Sequence, residues 1–314
     1  MNDDASDDTV PRVAVLGLGP MGAAMATRLV AAGFAVDVWN RSPGPAMILA
    51  EQGATAHAEP AECVSAADVV LTALPCGEAV RSVTGGGVLD ALRAGAVWAQ
   101  MGTIGVAATD ALAAEVAARR ADVVFVDAPV SGSRGPAEAG ELLILAAGPP
   151  QAERALAPVF GELGRRTIWL GAPGAATRLK LVLNSWLAFL VEGAAETAAL
   201  ADQLGVPHGV LVDAVAGGPL AAALPMAKIA KMHRADYRPD FSLQWALKDI
   251  NLALDAGGVN TLPVMGAIAE RWQDLATRGL GRLDVSAARC GLGARGPDAD
   301  GNATPGHDSV QPPR

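Results

Sequence analysis

A lysine and an asparagine stand four residues apart in a stretch that is otherwise apolar. "RLKLVLNSW", residues 178–186, sets Lys180 and Asn184 among Leu179, Leu181, Val182, Leu183 and Trp186. At that spacing both side chains project from one helix face. An ammonium within hydrogen-bond reach of a carbonyl oxygen can donate a proton to it, and the amine can take it back. Apolar surroundings disfavour a charged lysine and would ease that release. An uncharged amide beside it can orient a substrate without competing for the proton. The spacing alone fits equally well a lysine whose stem lies over apolar surface while its ammonium reaches water.

A second group of residues is suited to binding phosphate. "RVAVLGLGPMG" sets Gly17, Gly19 and Gly22 in a GxGxxG spacing. The apolar run at 12–19 precedes it, and a helical pattern over 21–33 follows, ending at Gly33. In that context the first glycine permits a tight turn, the second lets backbone approach a pyrophosphate, and the third lets helix pack on strand. The loop Gly17, Leu18, Gly19, Pro20, Met21 and Gly22 is therefore a candidate dinucleotide cradle, with the phosphates facing the free N–H groups of the helix. About 20 residues on, an acidic residue would bond a ribose 2′-hydroxyl and repel a 2′-phosphate. The second strand, 34–40, leads instead into Asn40, Arg41 and Ser42, and its one acid, Asp37, lies three residues back. A guanidinium beside hydroxyl and amide groups suits a phosphate, so NADP(H) is the expected cofactor. Leu74 and Pro75, in the loop after the strand "ADVVLTALP" (67–75), pass the same cofactor. Cys76 beside them reads as a small loop residue.

These residues need elements to hold them. Strand signatures at 12–19, 34–40, 67–75, 95–101 and 122–130 alternate with helical patterns, which predicts a mostly parallel sheet covered on both faces. Strands at 141–148 and 166–171, with a helix near 150–163 between them, are expected to extend that sheet. The pattern then becomes wholly helical. One proline-free stretch covers 175–204, roughly 30 residues and on the order of 45 Å. Helical patterns at 207–216, 219–234, 242–257 and 262–278 follow. The expectation is an α/β fold: an acidic arm at 1–10, an NADP-binding Rossmann domain at 11–174, and an all-helical substrate and dimerisation domain at 175–292 that includes the interdomain helix 175–204. A polar, Gly/Pro-rich tail at 293–314 completes it. The arm and the tail are expected to be disordered. A helix that long exceeds what a small domain covers, so a homodimer or a tetramer of dimers is expected.

Composition excludes other classes. The net charge is −9, with four of the acids at Asp3, Asp4, Asp7 and Asp8. No basic cluster suggests nucleic acid, and no apolar run of membrane-spanning length is present. Cys63, Cys76 and Cys290 are too few and too scattered for a disulfide framework, and the four histidines form no ligand pair, so no metal is expected. A reduced, cytoplasmic protein fits these features, and the acidic, polar start "MNDDASDDTV" does not read as a signal peptide.

The stretch "VLGLGPMGAAMATRLVAAGFAVDVWNRS" resembles the opening of the β-hydroxyacid dehydrogenase family, which includes 3-hydroxyisobutyrate dehydrogenase and the glyoxylate/succinic semialdehyde reductases. "DAPVSGSRGPAEAGEL" (127–142), "KLVLN" (180–184) and "KDINLALDAG" (248–257) resemble three further blocks of that family, in the same order. The resemblance covers about residues 12–290 and is strongest to the glyoxylate/succinic semialdehyde reductase branch. It implies a catalytic role for Lys180 and substrate contacts for Asn184, Ser131, Gly132, Phe241 and Asp249. It implies cofactor contacts for Thr103 and Lys248. Without it, Ser131–Gly132 reads as a plain turn and Lys248–Asp249 as an exposed helical ion pair. The chain departs from the commonest family pattern with "QMGT" at 100–103 for "DMST" and "SGS" at 131–133 for "SGG". Leu183 stands where 6-phosphogluconate dehydrogenase has histidine, which disfavours that relative.

The expected activity is NADPH-dependent reduction of a small carboxylated aldehyde to the hydroxy acid. Three alternatives remain: a 3-hydroxyisobutyrate-type dehydrogenase working oxidatively; an imine reductase, in which the lysine is usually replaced; and a non-catalytic cofactor-binding module.

Overall fold

The computed structural model describes residues 10–293. The expected arm and tail lie outside these residues, except for Val10 and Gly293. The chain divides into two compact units, one up to Leu181 and one from Val182.

The first unit is built on nine strands: β1 (Val13–Leu16), β2 (Val36–Trp39), β3 (Thr55–Ala56), β4 (Val69–Thr72), β5 (Val97–Gln100), β6 (Val124–Asp127), β7 (Val130–Ser131), β8 (Leu142–Ala146) and β9 (Gly164–Trp169). Its helices are α1 (Pro20–Ala31), α2 (Gly44–Glu51), α3 (Pro60–Val64), α4 (Gly77–Val83), α5 (Leu89–Ala91), α6 (Val106–Arg119), α7 (Arg134–Ala139) and α8 (Pro150–Leu163). Strands β1–β6 form one parallel sheet in the order β3-β2-β1-β4-β5-β6, the doubly wound order of dinucleotide-binding domains. Both faces are covered. Val13 and Val15 pack into one apolar cluster, Ala14 and Leu16 into the other. That is why the strands read as unbroken apolar runs and not as alternating ones.

Two expectations need correction. The run 122–130 is not one strand: it breaks into β6 and β7 around Pro129, which has no N–H for a ladder. The strands at 141–148 and 166–171 do not extend the parallel sheet. They form β8 and β9, in a separate three-stranded sheet ordered β7-β8-β9, with β7 antiparallel and β9 parallel to β8. A single bridge, Asp127 to Ala147, links β6 to it. The two-residue edge strand β3 was not anticipated, because two residues carry no periodicity.

Helix α9 (Ala175–Gln203) is one continuous helix of 29 residues, and the division between the two compact units falls within it. The second unit continues with α10 (His208–Val215), α11 (Ala223–His233), α12 (Leu243–Gly257) and α13 (Pro263–Thr277), followed by short 3₁₀ turns at Leu280–Arg282 and Val285–Arg289. Ala188, Val191, Ala195, Ile250, Met265 and Trp272 are among the buried residues of its core. Ala188, Ala194, Ala195 and Ala198 of α9 are buried in this core and let its neighbours approach closely. Among the described residues no helix is long and apolar enough to cross a membrane.

Candidate cofactor and catalytic site

Register sets the last residues of β1, β4, β5 and β6 in one row: Leu16 beside Thr72, Thr72 beside Gln100, Gln100 beside Asp127. The candidate residues of the first unit follow these strand ends. This is the edge, at the reversal of strand order between β1 and β4, where doubly wound sheets bind ligands.

The glycine loop leaves β1 and enters α1. Gly17 has φ +95°, and a Cβ there would stand 2.8 Å from the Ala73 carbonyl oxygen and 2.7 Å from Leu74 Cδ2. A Cβ on Gly22 would run into the Gly17 carbonyl oxygen, whereas at Gly19 it would meet nothing within 4 Å. Two glycines are thus required by packing, and the middle one leaves backbone bare. Gly19 and Pro20 are exposed, and the first turn of α1 carries no acidic residue. The loop residues fit a pyrophosphate: open backbone at a helix start, with N–H groups that have no partner inside the helix.

At the tip of β2, Asn40 does more than face a ligand. Its Oδ1 accepts from the Leu18 N–H at 3.0 Å, and its Nδ2 donates to the Ser42 carbonyl at 2.9 Å. It ties the glycine loop to the strand end, and the exposed Arg41 and Ser42 lie beyond it. Asp37 is held elsewhere. The Arg12 guanidinium lies 2.5 Å and His57 Nε2 2.7 Å from its carboxylate. Burial alone would raise its carboxyl, but those partners hold it below the usual range. No acid therefore stands at the tip of β2.

The loops after β4 and β5 touch. A Cβ on Gly102 would strike the Leu74 carbonyl oxygen. Gln100 shapes this contact: its Nε2 donates to the Gly102 carbonyl at 2.7 Å, and its Oε1 accepts from Thr72 Oγ1 at 2.8 Å and from the Gly102 N–H at 3.2 Å. The glutamine of "QMGT" is thus a buried brace that holds the loop bearing Thr103 against the one bearing Leu74 and Pro75. Cys76 is half-buried at the start of α4.

Ser131 is not in a bare loop. It lies in β7, paired with Leu143, on the edge of the small sheet. Gly132 follows with φ +138°, where a Cβ would stand 2.8 Å from Leu142 Cδ2. Asp127 at the end of β6 is buried, and it was not among the sequence candidates. Its Oδ2 accepts from the Gly174 N–H at 3.0 Å and the Thr177 N–H at 2.8 Å, and its Oδ1 accepts from Thr177 Oγ1 at 2.7 Å. Burial pushes its carboxyl above the ordinary value, against the bonds from Thr177 and Gly174 that favour the charged form. A sequence signal did exist. The residue before α9 is a glycine, with no side chain to cap the helix, so an acceptor had to come from elsewhere. Lys180, one turn after Thr177, is 9 % exposed.

In the second unit Asn184, 4 % exposed, donates from Nδ2 to Asp249 Oδ2 at 2.6 Å. This bond turns the amide oxygen of Asn184 away from Asp249. Lys248 Nζ lies 2.8 Å from Asp249 Oδ1, and Asp249 is buried. The pair is therefore not an exposed helical ion pair: its carboxylate is shared with Asn184. Phe241 is half-buried, with its N–H 3.3 Å from Asp284 Oδ2. Among the described residues no group of three or more His, Cys, Asp or Glu is arranged to hold a metal.

Residues 12–171 match a family described as the NAD binding domain of 6-phosphogluconate dehydrogenase, and residues 174–289 match the NAD-binding domain of NADP-dependent 3-hydroxyisobutyrate dehydrogenase. The chain belongs to the β-hydroxyacid dehydrogenase family. As a family member it is an NAD(P)-binding oxidoreductase. It is 35 % identical to glyoxylate/succinic semialdehyde reductase 1 of Arabidopsis thaliana over 279 residues, 88 % of this chain and 96 % of the relative. It is 32 % identical to 3-sulfolactaldehyde reductase of Escherichia coli, covering 88 % and 93 % of the two chains. Its fold is similar to that of Mycobacterium tuberculosis 3-hydroxyisobutyrate dehydrogenase, solved with L-serine, with a TM-score of 0.82 at 30 % identity over 90 % and 98 % of the two chains.

Proposed function

We propose that this β-hydroxyacid dehydrogenase reduces small carboxylated aldehydes, of the succinic semialdehyde or glyoxylate type, to the hydroxy acid with NADPH. The observation that carries this reading is the burial of Lys180 and Asn184 on one face of α9. A lysine snorkelling to water would be exposed. When bound, the reduced nicotinamide supplies the hydride. Lys180 gives its proton to the carbonyl oxygen as charge develops there, and its amine recovers the proton in the reverse direction. Asn184, oriented by Asp249, holds the substrate, with Phe241 as an apolar wall. Ser131 and the backbone at Gly132 bind the carboxylate, and Thr103 and Lys248 contact the cofactor. The test is oxidation of reduced nicotinamide with a panel of carboxylated aldehydes and a cyclic imine, and the reverse assay with 3-hydroxyisobutyrate. Turnover of the imine alone, or of the hydroxy acid alone, would contradict the reading.

The preference for NADPH rests on the tip of β2. Asp37 is engaged by Arg12 and His57, which leaves Arg41 and Ser42 to meet a 2′-phosphate. Wild type should favour NADPH in kcat/KM by at least about tenfold, or ~1.4 kcal/mol. In Asn40→Asp with Arg41→Ala, the new carboxylate keeps the acceptor for Leu18 and repels the phosphate. That double variant should lose most of the preference. A wild type that prefers NADH, or a double variant that keeps NADPH, would refute the assignment.

A second copy of the chain is the proposed partner of α9. Val182, Trp186, Leu200 and Leu204 are each more than half exposed. At roughly 100° per residue they fall within about 40° of one another, on the side of the helix opposite Lys180 and Asn184. Four large apolar side chains in one exposed stripe mark an association surface. Sedimentation at micromolar concentration should show a dimer or a tetramer of dimers, and Trp186→Asp with Leu200→Asp should yield monomers. A monodisperse, active wild-type monomer would exclude this role. The three free cysteines, two of them buried, suit a reducing compartment, and the cytoplasm is the proposed location.

A further inference from the structure

The start of α9 cannot cap itself. Gly174, with φ +93°, offers no side chain, and the first N–H groups of a helix have no partner inside it. Asp127 supplies the acceptor from 47 residues away, binding the Gly174 and Thr177 N–H groups through one oxygen and the Thr177 hydroxyl through the other. A carboxylate at this end of a helix is also favoured by the helix dipole. Thr177 Oγ1 lies 3.2 Å from Thr109 Oγ1, which donates to the Gly105 carbonyl at 2.9 Å, so the first turn of α6 joins the same cluster. Asp127 pairs in register with Gln100, the brace of the Gly102–Thr103 loop. One row of strand ends therefore holds both that loop and the start of α9. Thr177, Lys180 and Asn184 follow a three- and four-residue spacing and share one face. The turn that Asp127 grips is the turn immediately before the lysine.

We infer that Asp127 is a positioning residue for Lys180: it sets the rotation and height of the first turns of α9 against the sheet edge, and so fixes where the ammonium stands. This rests on the proposed role of Lys180. One oxygen of Asp127 accepts both N–H groups and the other accepts from the Thr177 hydroxyl. Asp127→Asn puts an NH₂ group on one side, which forces the Thr177 hydroxyl to turn from donor to acceptor and removes the charge that strengthens the two N–H bonds. Misplacing a catalytic group by about an ångström costs up to about 10²-fold.

The experiment measures kcat, the KM for succinic semialdehyde, NADPH affinity and folded fraction for Asp127→Asn, Thr177→Val and Thr177→Ser, each alone and with Lys180→Ala. Asp127→Asn and Thr177→Val should lower kcat by about tenfold or more per folded molecule, with NADPH affinity nearly unchanged. Thr177→Ser keeps the hydroxyl and should restore most of the rate. In the Lys180→Ala background none of the three should lower the residual rate further, because residues acting as a unit are not additive. An equal loss in both backgrounds, or an unchanged kcat in both Asp127→Asn and Thr177→Val, would overturn the inference. If Asp127→Asn does not fold, the two Thr177 variants carry the test. If Lys180→Ala itself keeps wild-type kcat, the lysine assignment fails. If Lys180→Ala is inactive while Asp127→Asn and Thr177→Val are normal, only the positioning role fails.

Discussion

Lys180→Ala should lower kcat for aldehyde reduction by about 10²–10⁴-fold, the usual contribution of one positioned general acid, equivalent to about 3–5 kcal/mol of transition-state stabilisation. NADPH affinity, read by quenching or by nicotinamide fluorescence, should hardly change. The glycine loop, the Asn40 tie and the Gln100 brace all lie on elements other than α9. The variant should also fold well, because alanine has the highest helix propensity. A variant that keeps more than about a tenth of wild-type kcat would remove Lys180 from the chemistry.

Asp284→Ala should be the most damaging substitution for the stability of the second unit. Asp284 is fully buried, and its Oδ1 accepts from Lys228 Nζ at 2.7 Å and the Ser286 N–H at 3.0 Å. Its Oδ2 accepts from the Asp240 N–H at 3.0 Å and the Phe241 N–H at 3.3 Å. The substitution takes from the buried Lys228 ammonium its nearer carboxylate and leaves it beside the largely exposed Asp240, 3.5 Å away. Breaking a buried pair in this way costs about 3–5 kcal/mol, and a drop in Tm on the order of 10 °C should follow. Burial by itself would raise the Asp284 carboxyl, but Lys228 and Ser286 hold it below the ordinary range. Its folded pKa lies below its unfolded one. The stability it contributes is therefore present in full above about pH 4 and is lost as pH falls through the folded value. Thermal melts of wild type should show this added loss on the acid side, and melts of Asp284→Ala should lack it. A Tm within about 2 °C of wild type would show that the pair contributes little. The loop bearing Phe241 loses two N–H acceptors in the same variant, so the KM for aldehyde should rise together with the loss of stability.

The parts of this molecule legible in its sequence are those fixed by local pattern. Strands β1, β4, β5 and β6 are covered on both faces, so they read as short apolar runs between turns. Helix α9, Ala175–Gln203, was bounded to within one residue because nothing in 175–204 breaks a helix. Gly17 and Gly22 were readable because close packing admits no other residue there, and Gly19 because bare backbone is what a pyrophosphate needs. The rest depends on partners far away in the chain. The tie from Asn40 to Leu18 spans 22 residues, the cap from Asp127 to Gly174 spans 47, and the bond from Asn184 to Asp249 spans 65. No local periodicity encodes which distant group a carboxylate or amide will meet. The split of 122–130 at Pro129 was visible as a proline, but not as a change of sheet. The strand signature on either side of it is the same, and only the pairing of Val130 and Ser131 with β8 reveals the switch.

The most direct test of the proposed activity compares two aldehydes of equal chain length, succinic semialdehyde and butanal, in NADPH-dependent reduction by the wild-type enzyme. The pair differs only in the carboxylate that Ser131 and the backbone at Gly132 are assigned to bind. Charge-assisted hydrogen bonds contribute about 1.5–3 kcal/mol each, so two of them should favour the carboxylated aldehyde in kcat/KM by at least about 10²-fold. Equal kcat/KM for the two aldehydes, or no oxidation of NADPH with either, would contradict the assignment of this chain as a reductase of carboxylated aldehydes.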